Sequence, residues 1–297
     1  MAANTVKKNS SEWVDYILAF IVLILAISAI YPFIFCLNYS LSSSQAASVK
    51  NPYFWPTEFT LQNYKMVFKD SDIMPAFGIS IFRTAAGIVY TLFVTGLASY
   101  AISKRNMPGN TFFTYVLLIP MYVGGGMIAT YVNIYQLHLI NNLLVYILPG
   151  GFATFYMLIM RTYFDSLPPS IEESARIDGA KDMTIFLKII MPLSLPIIAT
   201  VALFVGVDQW NAWYDAMVYI PEKSRQPIQM LLQNILMSNT PTDYKIKAEM
   251  SRNGKVQVSL QTIQMATLIV TTLPIVMVYP FLQKYFIKGM FIGAVKG

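Results

Sequence analysis

Asp208, Asn211 and Asp215 stand in the segment Asp208-Gln-Trp-Asn-Ala-Trp-Tyr-Asp215, spaced i, i+3, i+7. On one continuous helix that spacing gathers the three polar groups on a single face. Trp210, Trp213, Tyr214 and Met217 then form an aromatic face beside it. Carboxylates and amides accept hydrogen bonds from hydroxyl groups, and flat rings cover C–H surface, so the pattern suits a saccharide. The same aromatics also suit anchoring at a membrane interface, and Asp208 has a second use as partner to a neighbouring helix or subunit. Other chemistry is excluded. The chain has one cysteine, Cys36, and one histidine, His138, so an internal disulfide, a cysteine metal cluster and a triad built on His138 alone are ruled out. No Gly-x-x-x-x-Gly-Lys-[Ser/Thr] phosphate loop occurs. The chain is therefore expected not to be an enzyme, with no catalytic residue, no metal site and no bound cofactor.

A second group lies in Ser166-Leu-Pro-Pro-Ser-Ile-Glu-Glu-Ser-Ala-Arg-Ile-Asp-Gly-Ala180. Ser170 and Glu173 have capping-box spacing, and the carboxylates of Glu172 and Glu173 suit the positive end of a new helix. Asp178-Gly179 offers a turn where positive φ is tolerated. Ile185, Phe186, Ile189 and Ile190 then recur at helical spacing up to Met191-Pro192. The expectation is a helix, a turn and a second helix lying against a membrane face.

The elements that must position these groups belong in lipid. Of 297 residues 56% are hydrophobic and 12% charged, against roughly 45–50% and 25% in soluble domains. Between Arg105 and Arg161 there is no charged residue. The net charge of +6 comes from basics that flank apolar runs rather than forming a patch, so no nucleic-acid partner is expected. Six helical spans are predicted, at about 14–37, 85–102, 111–134, 143–160, 193–210 and 260–281, in a single domain over 1–297. The loop 161–192 joins spans four and five. The apolar run at 16–37 is too long for a cleavable signal. Basic residues in short loops, Lys7, Lys8, Lys104, Arg105, Arg176, Lys181 and Lys188 among them, put both termini in the cytoplasm. Gly124–Gly126 and Pro149-Gly150-Gly151 interrupt spans three and four, either for close helix packing or as broken helices along a pathway. After span five, Ile228, Leu231, Leu232, Ile235 and Leu236 predict a short amphipathic helix on the outer membrane face. A polar stretch with turn formers Asn239, Pro241 and Gly254 follows it.

Glu173-Ser174-Ala175, three residues, Gly179, nine residues and Ile189-Ile190-Met191-Pro192 resemble the "EAA" loop of binding-protein-dependent ABC permeases. Ser174 stands where alanine is usual and Met191 where leucine is usual. Asp178-Gly179-Ala180, Phe59-Thr-Leu-Gln-Asn-Tyr64, Trp210-Asn211 and the ending Gly293-Ala-Val-Lys-Gly297 resemble the carbohydrate-uptake branch, in particular the smaller permease of the maltose-type importers. The resemblance covers nearly the whole chain. It implies the type I ABC importer permease fold, all-α with a coupling helix on the cytoplasmic side. Glu172, Glu173, Ser174, Ala175, Asp178, Gly179, Ala180 and Pro192 would dock in an ATPase subunit. It further implies a second permease subunit, an ATPase dimer that uses ATP and Mg, and an extracytoplasmic sugar-binding protein, which Asn239, Pro241 and Gly254 would touch. The setting implied is the bacterial cytoplasmic membrane, and the cargo a saccharide. A non-sugar solute is the alternative cargo. An ion-coupled carrier is a rival class, but it needs ionisable groups in several spans, and Asp208 alone is evident.

Overall fold

The computed structural model describes residues 12–104, 106–237 and 259–294. They fall into two compact units, Met1–Lys69 with Ser238–Val270 and Asp70–Met237 with Thr271–Gly297.

The first unit is led by α1 (Glu12–Ser40), followed by the short helices α2 (Ser44–Val49) and α3 (Gln62–Lys69). Apolar side chains are exposed along most of α1, as a lipid-facing helix requires. The Ser40 carbonyl at its end, and those of Leu41 and Ser42 just beyond it, take donors from the Phe59–Tyr64 segment. Asn63, fully buried, donates from Nδ2 to the carbonyls of Ser40 (2.7 Å) and Ser42 (3.0 Å). The Thr60 amide donates to Leu41 (2.8 Å), and the Tyr64 hydroxyl lies 2.7 Å from Ser40 Oγ. The segment is thus a clip on the end of α1. Asn63→Ala should strip two buried carbonyls of their donor and cost about 1–3 kcal/mol, read as a lower thermal midpoint of the detergent-purified protein.

In the second unit, α4 (Ile73–Ser103) is the central rod, 31 residues long and so about 46 Å at ~1.5 Å per residue. Around it come α5 (Asn110–Tyr122), α6 (Gly126–Gln136), α7 (Thr154–Asp165), α8 (Pro169–Ile177), α9 (Asp182–Leu193) and α10 (Leu195–Asn211). Two short helices follow, α11 (Tyr214–Tyr219) and α12 (Ile228–Met237). The long α13 (Leu260–Ala294) ends the described chain, its residues to Val270 belonging to the first unit and those from Thr271 to the second. Helices α7 and α10 pack directly on α4.

Several spans depart from the sequence expectation. The second begins twelve residues early, at Ile73 rather than at residue 85, which brings Arg83 inside the helix. The third is two helices meeting at 114° across residues 123–125, at the glycine run. The predicted fourth span, 143–160, is not one helix. It opens with a 3-10 turn at Leu143–Tyr146, stays irregular to Ala153, and is helical only from Thr154. Pro149-Gly150-Gly151 accounts for this, since proline lacks a donor and glycine disfavours the helix. Irregular backbone in an apolar setting must find partners in the protein, and α4 provides them. Thr91 Oγ1 donates to Gly150 O and Thr95 Oγ1 to Gly151 O, both at 3.3 Å, and Ser99 Oγ donates to Met157 O at 3.0 Å. Gly151 is a close-packing glycine, because a Cβ there would stand 2.0 Å from the Tyr90 ring. Gly124 and Gly126 have open space around them; they mark a bend, not a contact.

The fifth span forms close to its predicted bounds, as the single helix α10, and it meets α9 of the preceding loop at 85° about buried Ser194. A π turn at Phe186–Ile190 precedes Pro192, whose missing N–H leaves the Lys188 carbonyl without its usual donor. Among the described residues three helices are long and apolar enough to cross a membrane, or five spans if each bent pair counts as one. The sequence predicts six. Those residues contain no strand, only an isolated antiparallel bridge between Ser42 and Phe59.

Candidate functional site

Two features of the second unit carry chemistry. The first is the loop from α8 to α9. Ser170 does not form the expected capping box. The helix starts at Pro169, with Pro168 in the cap position and no side-chain cap bond. Proline's fixed φ suits the first helical position, so the start moves one residue N-terminal of Ser170. Ser174 Oγ instead donates back to Ser170 O at 2.9 Å. The C-terminal end matches the expectation. Gly179 has φ +79°, its amide donates to Arg176 O (3.0 Å), and the Ala180 amide donates to Ala175 O (2.9 Å). This pair of bonds is the Schellman ending, which asks for glycine at the left-handed position.

The two acidic residues of α8 are used differently. Glu172 forms an ion pair with Lys104 at the end of α4, and that ammonium sits 3.9 Å from the centroid of the Tyr100 ring. Glu173 and Ser174 are exposed, as are Asp178, Gly179 and Pro192. Ile177 is 86% exposed. Ala175 is buried, and Ala180 packs with it against Tyr100, Phe164, Ile185, Phe186 and Ile190. Ile185, Phe186 and Ile190 are buried and Ile189 half-buried, matching the predicted apolar face. The loop therefore has one face fixed to α4, α7 and α9 and another that presents Glu173, Ile177 and Gly179 outward.

The second feature is a cavity of about 290 Å³ between α4, α6, α7, α10 and α11. The segment Asp208–Asp215 lies beside it, but not as one helix. The α10 helix ends at Asn211, Ala212 is extended, and α11 begins at Tyr214. Arg83 explains the break. Its Nη1 donates to the Ala212 carbonyl (3.0 Å) and to Asp215 Oδ1 (3.1 Å), and Nη2 donates to Asp215 Oδ2 (2.6 Å). Nε and Nη2 both reach Gln209 Oε1, at 3.2 and 3.1 Å, and the guanidinium lies 4.4 Å from the centroid of the Tyr146 ring. Gln209 Nε2 donates onward to Tyr146 O (3.2 Å). Its side chain fits because residue 87 is glycine; a Cβ there would stand 2.8 Å from Gln209. Arg83 is 1% exposed.

Of the six residues singled out in this segment, Asp208 and Asp215 line the cavity. Trp210 is buried elsewhere, its Nε1 donating to Thr271 O (3.1 Å) and its ring 6.3 Å from Phe77. Asn211 accepts from Gln229 (3.5 Å), and Trp213 and Tyr214 meet edge to face. The rings that do line the cavity are Tyr146, Tyr156 and Tyr219. Tyr156 donates its hydroxyl to Asp208 Oδ2 at 2.6 Å and stacks on Phe204 with planes 9° apart. Arg83 was legible as a lone arginine among apolar residues 73–103, but a span taken from residue 85 leaves it on the flank. Beyond the cavity, α12 forms as predicted, with Ile228 and Leu232 buried, Leu231 and Ile235 half-buried, and Leu236 exposed. Asn239, Pro241 and Gly254 lie outside the described residues.

Residues 98–292 match the family described as binding-protein-dependent transport system inner membrane component. The chain is similar to the polygalacturonan/rhamnogalacturonan transport system permease protein YtcP of Bacillus subtilis (strain 168). They are 34% identical over 284 residues, covering 95% of this chain and 98% of that protein. It is similar also to Protein LplC of the same organism, 36% identical over 272 residues, with 90% of each chain covered. A solved structure, a bacterial ABC transporter involved in the import of the acidic polysaccharide alginate, superposes with a TM-score of 0.87 at 29% identity. That match covers 94% of this chain and 98% of the other.

Proposed function

We propose, because this chain belongs to the family of binding-protein-dependent transport system inner membrane components and is thus an ABC transporter permease, that its cargo is a saccharide, most fittingly an oligosaccharide. The names of YtcP and of the alginate importer support that cargo. So does the cavity, where Asp208 offers an exposed carboxylate beside Tyr146, Tyr156 and Tyr219. The chain would sit in the bacterial cytoplasmic membrane with both termini inside, beside a second permease subunit. Energy would come from a separate ATPase dimer holding ATP and Mg, and cargo from an extracytoplasmic binding protein.

The observation that carries the coupling role is the outward face of α8. Glu173 is exposed, Ile177 is bare, and the Gly179 turn has nothing within 4 Å of where a Cβ would stand. Ile177 is the apolar side chain on that face that a docked partner would cover. Movement of the docked helix would reach α4 through Lys104–Glu172 and the packing of Tyr100 on Phe186, whose centroids are 5.3 Å apart. The α4 rod also carries Arg83 at the cavity, so the same helix makes both contacts.

The test is purification of the tagged chain from its own cells, with uptake of radiolabelled oligosaccharides by cells with and without the gene. An ATPase subunit should co-purify, and ATP-dependent uptake of at least one oligosaccharide should vanish with the gene. Uptake that survives ATP depletion and follows an ion gradient would reinstate the self-sufficient carrier.

A further inference from the structure

The cavity has a charge balance that sorts saccharides by class. Among the described residues that line it, Arg83 is the one cation, against the carboxylates of Asp208 and Asp215. Arg83 has nothing left to offer a cargo. Its N–H groups are turned to Asp215, Gln209 and the Ala212 carbonyl, one side of it is covered by the Tyr146 ring, and it is 1% exposed. A guanidinium so occupied can bind a sugar carboxylate only by giving up Asp215, which then remains as an unpaired charge beside it.

Asp208 is in the opposite position. It is exposed and lines the cavity, and its partner is a neutral donor, the Tyr156 hydroxyl at 2.6 Å. A phenol hydrogen bond orients a carboxylate without cancelling its charge. The remaining lone pairs stay available as acceptors for sugar hydroxyls, and the Tyr156 ring, backed by Phe204, is placed beside them as a flat apolar platform. With Arg83 and Asp215 neutralising one another, the lining is left with one negative charge in excess.

We infer that Asp208 makes this subunit's share of the pathway select uncharged saccharides over uronate-bearing ones. The inference rests on the saccharide reading above but sets this chain apart from YtcP and the alginate importer, whose named cargoes are acidic. Like-charge juxtaposition in a partly desolvated site is strongly unfavourable. A glycan carboxylate brought against Asp208 meets that repulsion with no free cation from this chain to relieve it.

The probes should differ in charge and little else: an oligogalacturonide and its fully methyl-esterified form, matched in length, together with a neutral galacto-oligosaccharide. The complete transporter with its binding protein is reconstituted in vesicles, and sugar-stimulated ATP hydrolysis and uptake are measured. Wild type should favour the ester over the free acid. Asp208→Asn should narrow that ratio by about tenfold or more, and the binding protein's own preference cancels between variants. Asp208→Glu, which keeps the charge, should hold the wild-type ratio, as should Tyr156→Phe. The two conservative variants keep the test valid if Asp208→Asn assembles poorly, because a purely structural role would alter their rates for both probes alike. Equal stimulation by acid and ester in wild type would overturn the inference, and so would an unchanged ratio in Asp208→Asn. Absence of ATP-dependent transport for every saccharide, by contrast, overturns the functional reading itself and takes the charge filter with it.

Discussion

Gly179→Val should leave the chain inserted at its normal level in the membrane and cut ATP-driven uptake by about tenfold or more, the factor that ~1.4 kcal/mol represents. Gly179 has φ +79°, a region where a β-branched residue is an outlier and where the strain is about 1–2 kcal/mol. A Cβ at this position meets nothing within 4 Å, so the chain itself offers no clash to amplify the effect. What the substitution disturbs is the last turn of α8, where the Gly179 and Ala180 amides close onto Arg176 and Ala175. Glu173→Ala is the companion variant. That carboxylate is exposed, and a surface change of this kind normally moves stability by less than about 0.5 kcal/mol. Loss of uptake in both variants, at normal membrane levels and with the cavity untouched, assigns the defect to docking. Normal uptake in both would sink the coupling role of α8.

Arg83→Met should be the most damaging single substitution in the cavity wall. Removing one partner of a buried ion pair costs about 3–5 kcal/mol, and the exposure of the Asp215 side chain, 26% against 1% for Arg83, places the cost toward the lower end. The loss is not confined to the pair. The Ala212 carbonyl and Gln209 Oε1 lose their donor as well, and both lie at the break between α10 and α11. Asp215→Asn should cost less, because an amide still accepts from the guanidinium. The double variant Arg83→Met with Asp215→Leu should recover much of the stability lost in Arg83→Met, since no charge is then left unpaired. Thermal midpoints of wild type, Arg83→Met, Asp215→Leu and the double variant form a double-mutant cycle that isolates the pair. Additive losses across the cycle would show that Arg83 and Asp215 act independently and that the clamp is misassigned.

Local chemistry made the α8 loop readable. Two prolines fix where the helix begins, and Asp178-Gly179 fixes where it ends, both through backbone constraints that act within a few residues. The one error there, Ser170 as a cap, came from a competition between two N-terminal signals that Pro169 wins. The cavity was far less legible. Ala212 and Trp213 are not helix breakers, so nothing local announces that α10 stops before Asp215. The break is held by Arg83, 129 residues away from Ala212 in sequence. The same holds for the rings. Spacing put Trp210 and Trp213 beside Asp208, whereas packing turned Trp210 toward Phe77 and brought Tyr156 to Asp208 from α7. Periodicity locates apolar runs but not their bends, which is why residues 143–153 read as part of a helix. Their backbone is satisfied by Thr91 and Thr95 on α4, partners that no window around residue 150 contains.

The central claim is that α8 docks on an ATPase, and contact at Ile177 tests it most directly. With Cys36 replaced by serine, a cysteine at position 177 carries a benzophenone probe, and inside-out vesicles of the complete transporter are irradiated. Ile177 is 86% exposed in this chain, so the probe reports whatever covers it in the assembly. The account predicts a covalent adduct between this chain and the ATPase subunit, weakened when the same experiment is run on Gly179→Val. An adduct formed only with lipid, or with an extracytoplasmic protein after labelling from the outside, would contradict it.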